Sequence, residues 1–256
     1  MLQQLEVSTG LLVRECAGKS QTRLEFWTEI VRRIQGRTVL EIGVYQADFA
    51  VALLRACESV DCYYMLDPWR HLSNWNKPAN EEDSVFNHLY ESAMEKTAFA
   101  ANRRVVLRGT TSEMIDKIPD ASLDFAYIDG DHTLRGITID LIRVYSKVKT
   151  GGFIGGDDFT PTIWQHHSSF EPSLVYPWVV HFAEAVGATI YGLPNSQFFM
   201  QKTTGGSFDF VDLTGKYSDP GLRNQVLPEK SLSVWFTERY PRLARIARKI
   251  RRIVNS

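Results

Sequence analysis

The chain has 256 residues, 44% of them hydrophobic, and a formal net charge of -1. That length and apolar content suit one large α/β domain, or one domain with additions. A balance this near neutral excludes a global field that would recruit nucleic acid or an anionic membrane.

In chain order, "MLQQLEVSTGLLVRECAGKS" holds no apolar core of a signal peptide, and no later apolar run is long enough to span a bilayer. "RLEFWTEIVRRIQG" sets Leu24, Trp27, Ile30, Val31 and Ile34 at helical spacing, with Gly36 as its stop. "TVLEIGV" is a buried strand and "DFAVALLRACESV" the helix after it. "CYYMLD" is a second strand, closed by Pro68. "HLSNWNKPAN" is a loop of turn formers. Asn80 is placed to cap a helix running to about Phe99, with Glu81, Glu82 and Asp83 in its first turn.

"RVVLRG" is the third strand, "SEMIDKI" a short helix, and "LDFAYID" the fourth strand. "TLRGITIDLIRVYSKV" puts Leu134, Ile137, Leu141 and Val144 on one helical face, and "GGFIGGD" is the fifth strand. "SLVYPWVVHFAEAVG" is a helix starting after Pro177. "ATIYGLP" and "SQFFMQK" are strands too close in sequence to be a parallel pair, so they are antiparallel. Alternating strands and helices predict an α/β fold: a Rossmann-like, doubly wound, mostly parallel sheet with a terminal antiparallel pair. The expected divisions are a helical segment at 1–36, the main domain at 37–203 and an extension at 204–256. Cys16, Cys57 and Cys62 are odd in number and lack a metal-ligand spacing, as reduced thiols of a cytoplasmic protein would.

In such sheets ligands sit at the carboxyl ends of strands. The loops to read are "EIGVYQADF", "LDPWR", "GTTSE", "IDGDHT" and "GDDF". Gly43 allows close approach of a ligand to the backbone. Tyr45 and Ala47 stand where a glycine-rich fingerprint would have more glycines, so little cradles a pyrophosphate. Asp67, ending the second strand, is placed to accept from a ribose diol. Equally, Gly43 serves a tight turn and Asp67 is a turn residue before Pro68.

Four carboxylates crowd two strand ends: Asp129 and Asp131 after the fourth strand, Asp157 and Asp158 after the fifth. Two like charges about 4 Å apart repel by roughly 4 kcal/mol at an effective dielectric of 20. Either some protonate, a basic side chain intervenes, or a cation binds. Oxygen ligands suit Mg²⁺ or Ca²⁺. Adjacent strand residues face opposite ways, so Asp157 and Asp158 share an ion only if the strand has ended. The plainer alternative is a turn "DGD", with Asp131 capping the next helix, and a solvated "DD".

Taken together, "VLEIGVYQADFAVALL", "YYMLDPW" and "LDFAYIDGDHTLRGITIDLIRVYSKVKTGGFIGGDDF" resemble class I S-adenosylmethionine-dependent methyltransferases. The nearest branch is the macrocin-type sugar O-methyltransferases and their small bacterial relatives. The likeness covers about Thr38 to Lys202. It implies that Glu41 and Gly43 flank the amino acid part of S-adenosylmethionine, and that Asp67 holds the ribose. Thr111 and Ser112 then lie beside the adenine, and Asp129 near the cofactor. It also implies that Asp129, Asp157 and Asp158 hold Mg²⁺. His132 matches the catalytic base of some members and Asp131 that of others; His132 is preferred, since imidazole has the suitable pKa. The metal would orient two adjacent acceptor oxygens and acidify one.

His166 and His167 either line a substrate pocket or sit in a solvated loop. Trp75 either stacks on substrate or anchors its loop. In the tail, Leu243, Ile246, Ile250 and Ile253 form an apolar stripe beside Arg242, Arg245, Arg248, Lys249, Arg251 and Arg252. That face suits peripheral contact with an anionic membrane or an acidic partner. The plainer reading is a helix packed on its own domain or on a second subunit, as in a homo-oligomer. The expected activity is O-methylation of a sugar or other small polyhydroxylated acceptor, with Mg²⁺ assisting. The alternatives are a dinucleotide-dependent oxidoreductase, and a non-catalytic module acting through the basic tail.

Overall fold

The computed structural model describes residues 2–167, 169–222, 225 and 240. The chain divides into two compact units, Met1–Ser218 and Asp219–Ser256. The basic stripe from Arg242 to Ile253 lies outside the described residues. No helix among the described residues is long and apolar enough to cross a membrane.

The first unit opens with two helices, α1 (Leu2–Lys19) and α2 (Arg23–Arg33). Both fall in the 1–36 stretch expected to be helical, where the apolar spacing marked only α2. Alternation follows: β1 (Thr38–Ile42), α3 (Asp48–Ala56), β2 (Cys62–Asp67), α4 (Asp83–Lys96), β3 (Arg104–Arg108), α5 (Thr111–Met114), β4 (Leu123–Ile128), α6 (Leu134–Lys147), β5 (Val148–Gly156) and α7 (Val175–Val186). Then come β6 (Thr189–Leu193), β7 (Gln197–Gln201) and β8 (Asp209–Asp212). Pro177 is the third residue of α7 rather than its precursor. In a first turn its missing N–H has no intrahelical partner to lose.

The eight strands form one sheet in the order β3-β2-β1-β4-β5-β7-β6-β8. β7 is antiparallel to both β5 and β6, as the short connection requires. β8 pairs parallel with β6 and carries the sheet into the stretch expected to be an extension. Order reverses between β1 and β4, the switch point where such sheets leave a crevice.

Alternate strand residues feed two cores, one on each face. Val39, Phe125, Tyr127 and Phe199 join Trp27, Ile30 and Val31 of α2 and Phe49 of α3. Leu40, Ala126, Ile128 and Phe198 join Ile137, Leu141 and Val144 of α6 and Val179 and Ala183 of α7. Phe49 stacks on Tyr127 with centroids 4.0 Å apart, worth about 0.5–1.5 kcal/mol beyond burial alone.

α2 is seated with unusual care. Thr22 caps it and Glu25 completes a capping box, which fixes the first turn. Trp27 is fully buried. A Cβ on Gly155 would stand 2.0 Å from the Trp27 ring, so this glycine makes room for the indole. The indole Nε1 donates to Gln197 Oε1 at 2.8 Å, pinning α2 to β7. Asn80 does not cap α4: Glu82 occupies that place. The Asn80 amide instead ties together the loop before it, bonding Leu72 at both its N–H (3.0 Å) and its carbonyl (2.8 Å), and the Trp75 carbonyl at 2.8 Å.

Candidate active site

A cavity of about 560 Å³ opens at the carboxyl ends of β1, β2, β3 and β4. Gly43, Asp67, Thr111, Ser112, Asp129, Asp131, His132 and Asp158 all line it. Glu41 and Asp157 are not among its lining residues.

One end is made of local backbone. Gly43 has φ +83°, and a Cβ there would stand 2.0 Å from the Asp129 carbonyl oxygen. The loops after β1 and β4 therefore touch through a glycine. Tyr45 (φ 52°) and Ala47 (φ 66°) adopt the left-handed backbone that glycine favours. Holding non-glycine residues in that backbone costs about 1–2 kcal/mol for each position. Its support is visible: Asp67 Oδ2 accepts from the Tyr45 N–H at 2.9 Å, and the Trp69 indole donates to the Tyr45 carbonyl at 2.8 Å. Asp67 Oδ1 accepts from the Trp69 N–H at 2.7 Å. Burial pushes the Asp67 carboxyl up to about 6, against those backbone bonds. Trp69, fully buried, was not foreseen.

Glu41 lies on the opposite side of β1 from Ile42, which lines the cavity. It is almost fully buried and accepts from Tyr63 Oη at 2.7 Å. Burial holds it well above the usual carboxylate range. Expected beside the amino acid part of the cofactor, Glu41 instead spends its carboxylate on Tyr63 and stays off the cavity wall.

Beside Thr111, Asp140 of α6 is buried and lines the cavity. Burial pushes its carboxyl up to about 7, while a hydrogen bond from Thr111 pulls the other way.

The other end holds the charges. β5 ends at Gly156, so Asp157 and Asp158 lie just past it, with Asp158 at φ 56°. Arg23, the first residue of α2, sends Nη1 to Asp129 Oδ2 at 3.1 Å and pairs the same nitrogen with Asp157 Oδ2. Asp157 Oδ1 also accepts from Gln197 Nε2 at 2.5 Å and from the Asp158 N–H at 2.8 Å. His132 Nδ1 pairs with Asp158 Oδ2, and its Nε2 stands 3.5 Å from Asp129 Oδ1. That Nε2 is buried with no hydrogen-bond partner among the described residues. Burial alone would lower the His132 pKa, but Asp129 and Asp158 raise it to about 10.

The expected magnesium set does not assemble. Among the described residues, no group of three or more His, Cys, Asp or Glu side chains is arranged to hold a metal ion. A guanidinium nitrogen stands between Asp129 and Asp157, and an imidazole takes Asp158. Of the three ways to relieve the acidic cluster, the structure uses the intervening basic side chain. Arg23 escaped the sequence reading because one arginine opening an amphipathic helix is ordinary. The one clue is its sign: a cation there opposes the helix dipole by about 0.3–1 kcal/mol.

Asp131 Oδ1 accepts from the Thr133 N–H at 2.9 Å and from the Trp75 indole at 3.0 Å. Trp75 thus anchors its loop and also lines the cavity. His166 lines it too, whereas His167 turns to Ser169 at 3.0 Å. The loops after β2 and β5 lock over the site. Asn76 Nδ2 donates to the Ser169 carbonyl at 2.9 Å, and Lys77 Nζ to the Glu171 carbonyl at 2.8 Å and Ser173 Oγ at 3.0 Å.

Residues 40–159 match a family described as a methyltransferase domain. The matched stretch runs from within β1 to just past β5. The domain's fold recurs in solved structures of low identity. The O-methyltransferase TomG from Streptomyces achromogenes, involved in tomaymycin synthesis and bound to SAM, is 15% identical. The match covers 75% of this chain and 90% of that one, with a TM-score of 0.52. An O-methyltransferase from Bacillus cereus in complex with SAH is 16% identical over 79% and 91% of the two chains, with a TM-score of 0.50. Cofactor-bound Rv0187 from MTB is 15% identical over 76% and 88%, with a TM-score of 0.52. No curated protein matches the chain.

Proposed function

We propose that the chain is an S-adenosylmethionine-dependent O-methyltransferase acting on a hydroxyl of a small polyhydroxylated molecule. The observation that carries this is one cavity joining a backbone-built end to a charged end. The Gly43 approach, the buried Asp67 and the pair Thr111 and Ser112 fit an adenosyl amino acid. Asp67 would take the ribose hydroxyls, and Thr111, Ser112 and Asp140 the adenine side. When bound, S-adenosylmethionine supplies an electrophilic methyl carbon on a sulfonium.

The chain's own residues supply alignment and proton handling. An acceptor hydroxyl at Asp129 lies within reach of His132 Nε2, the ring atom left without a partner. Asp158 fixes the tautomer from the Nδ1 side. The acceptor oxygen attacks the methyl carbon, the carbon–sulfur bond breaks, and the hydroxyl proton passes to Nε2. With Asp129 and Asp158 holding its pKa up at about 10, His132 must lose a proton before it can take this role. A cationic ligand that draws on Asp129 weakens what holds that proton. Asp131 keeps Trp75 over the cavity and is a positioning residue rather than the base. The carboxylates and Trp75 at this end suit a sugar or another polyol, whose hydroxyls donate and whose ring faces stack. No step is assigned to magnesium, because the residues do not fit it.

Calorimetric titration with S-adenosylhomocysteine in EDTA tests the reading first, followed by a screen of hydroxylated acceptors for S-adenosylhomocysteine release. Binding is the expected result, and its absence removes the methyltransferase activity. NADH binding in its place would favour the oxidoreductase.

A further inference from the structure

We infer that Arg23 stands in for a divalent cation at this site, so that a fixed guanidinium, not a metal ion, neutralises the carboxylates beside the acceptor. The inference deepens the proposed methyl transfer, and its acceptor role rests on that reading.

Four observations converge on Arg23. A single atom, Nη1, touches carboxylate oxygens from two strand ends, Asp129 after β4 and Asp157 after β5. This is the bridging position that a cation shared by these residues would take. Asp157 is largely committed: its Oδ1 already takes Gln197 and the Asp158 N–H, and its Oδ2 takes Arg23. Magnesium demands near-ideal octahedral oxygen geometry at about 2.0–2.1 Å, and so well-bonded a carboxylate cannot swing to meet it without breaking those contacts.

Arg23 is also held from behind. The capping box fixes its turn, and Trp27, one turn on, fits the space left by Gly155 and bonds Gln197. Gln197 closes the loop, since its amide oxygen takes Trp27 and Tyr127 while its nitrogen grips Asp157. Finally, the Arg23 side chain is 42% exposed and lines the cavity. Nη1 makes the described contacts, which leaves Nη2 and Nε as donors for an acceptor oxygen. A guanidinium never loses its charge in a protein, so it can stabilise a developing alkoxide at any working pH.

The test is titration of the whole protein with Mn²⁺, following the EPR signal of the free ion. Wild-type protein is expected to leave that signal unchanged through the millimolar range. Arg23→Gln, which removes the charge but keeps much of the bulk, is expected to gain Mn²⁺ binding that Asp157→Asn in the same background abolishes. Arg23→Lys, which keeps a positive charge, is expected to exclude the ion as wild type does.

Wild-type Mn²⁺ binding that Asp158→Asn abolishes would overturn the inference. So would an Arg23→Gln protein with a native melting transition that takes up no ion. If Arg23→Gln does not fold, the wild-type titration still decides. Titrating the same wild-type sample with S-adenosylhomocysteine separates the two readings. Loss of that binding removes methyl transfer and leaves the ion result standing.

Discussion

Tyr45 and Asp67, which meet at the backbone-built end of the cavity, are 22 residues apart in the chain. Arg23 and Asp129, which meet at the other end, are 106 apart. The first end is built from backbone in set conformations, supported by a carboxylate and an indole from the next strand's loop. The second is built from charged side chains, each held mainly by the others. Backbone shape tolerates a choice of side chain, and Tyr45 and Ala47 take the left-handed conformation there. A charge cluster has no such slack, because removing one member leaves another uncompensated at partial burial. The two ends should therefore fail differently.

His132→Ala should break the charged end alone. Turnover is expected to fall by about 10²–10⁴-fold, the range for losing a general base, while S-adenosylhomocysteine affinity measured by calorimetry stays near wild type. Undiminished turnover would remove His132 from the mechanism. Gly43→Ala should break the backbone end: its Cβ would overlap the Asp129 carbonyl oxygen. S-adenosylhomocysteine affinity is expected to fall by about tenfold to a hundredfold, from roughly 1–3 kcal/mol of strain.

Gly155→Ala sharpens the contrast from outside the cavity. The added methyl pushes on Trp27 and so on the seat of Arg23. An overpacked core costs about 1–3 kcal/mol, or a Tm lower by about 2–12 °C in a domain of this size. S-adenosylhomocysteine affinity should hold while turnover drops. If the melting temperature does not move, Gly155 is not the space that seats α2.

The smallest effect is a pH dependence at Asp67. Its carboxyl is held up at about 6 when folded, from 3.8 when free. The folded protein thus holds this proton more tightly. The associated stability is complete below pH 3.8 and is lost as pH rises through 6. Between pH 5 and pH 8, wild type should lose about 1.4 kcal/mol that Asp67→Asn does not, seen in urea unfolding at the two pH values. Parallel curves would mean that Asp67 is already ionised at pH 5.

The sequence by itself determined the alternation of strands and helices, the antiparallel β6 and β7, and the loops that carry the site. These follow from period, turn residues and connection length, all of which act over a few residues. β2 is where it was read, at Cys62–Asp67, because Pro68 ends it. Gly43, Asp67, Asp129 and His132 were legible because a strand's end points its loop into the crevice whatever the neighbours are.

Tertiary structure decided which charges meet. Strand alternation turns Glu41 away from the cavity wall, and Asn80 ties a loop where Glu82 takes the cap. Trp27 read as one more apolar residue in a helical stripe, yet it sets where α2 lies. Arg23 reaches the acidic cluster only because α2 docks on β5 and β7, through a glycine and a glutamine far along the chain. Helical spacing states which face of α2 is buried. Where along the sheet that face comes to rest depends on the shapes of residues it meets only after folding.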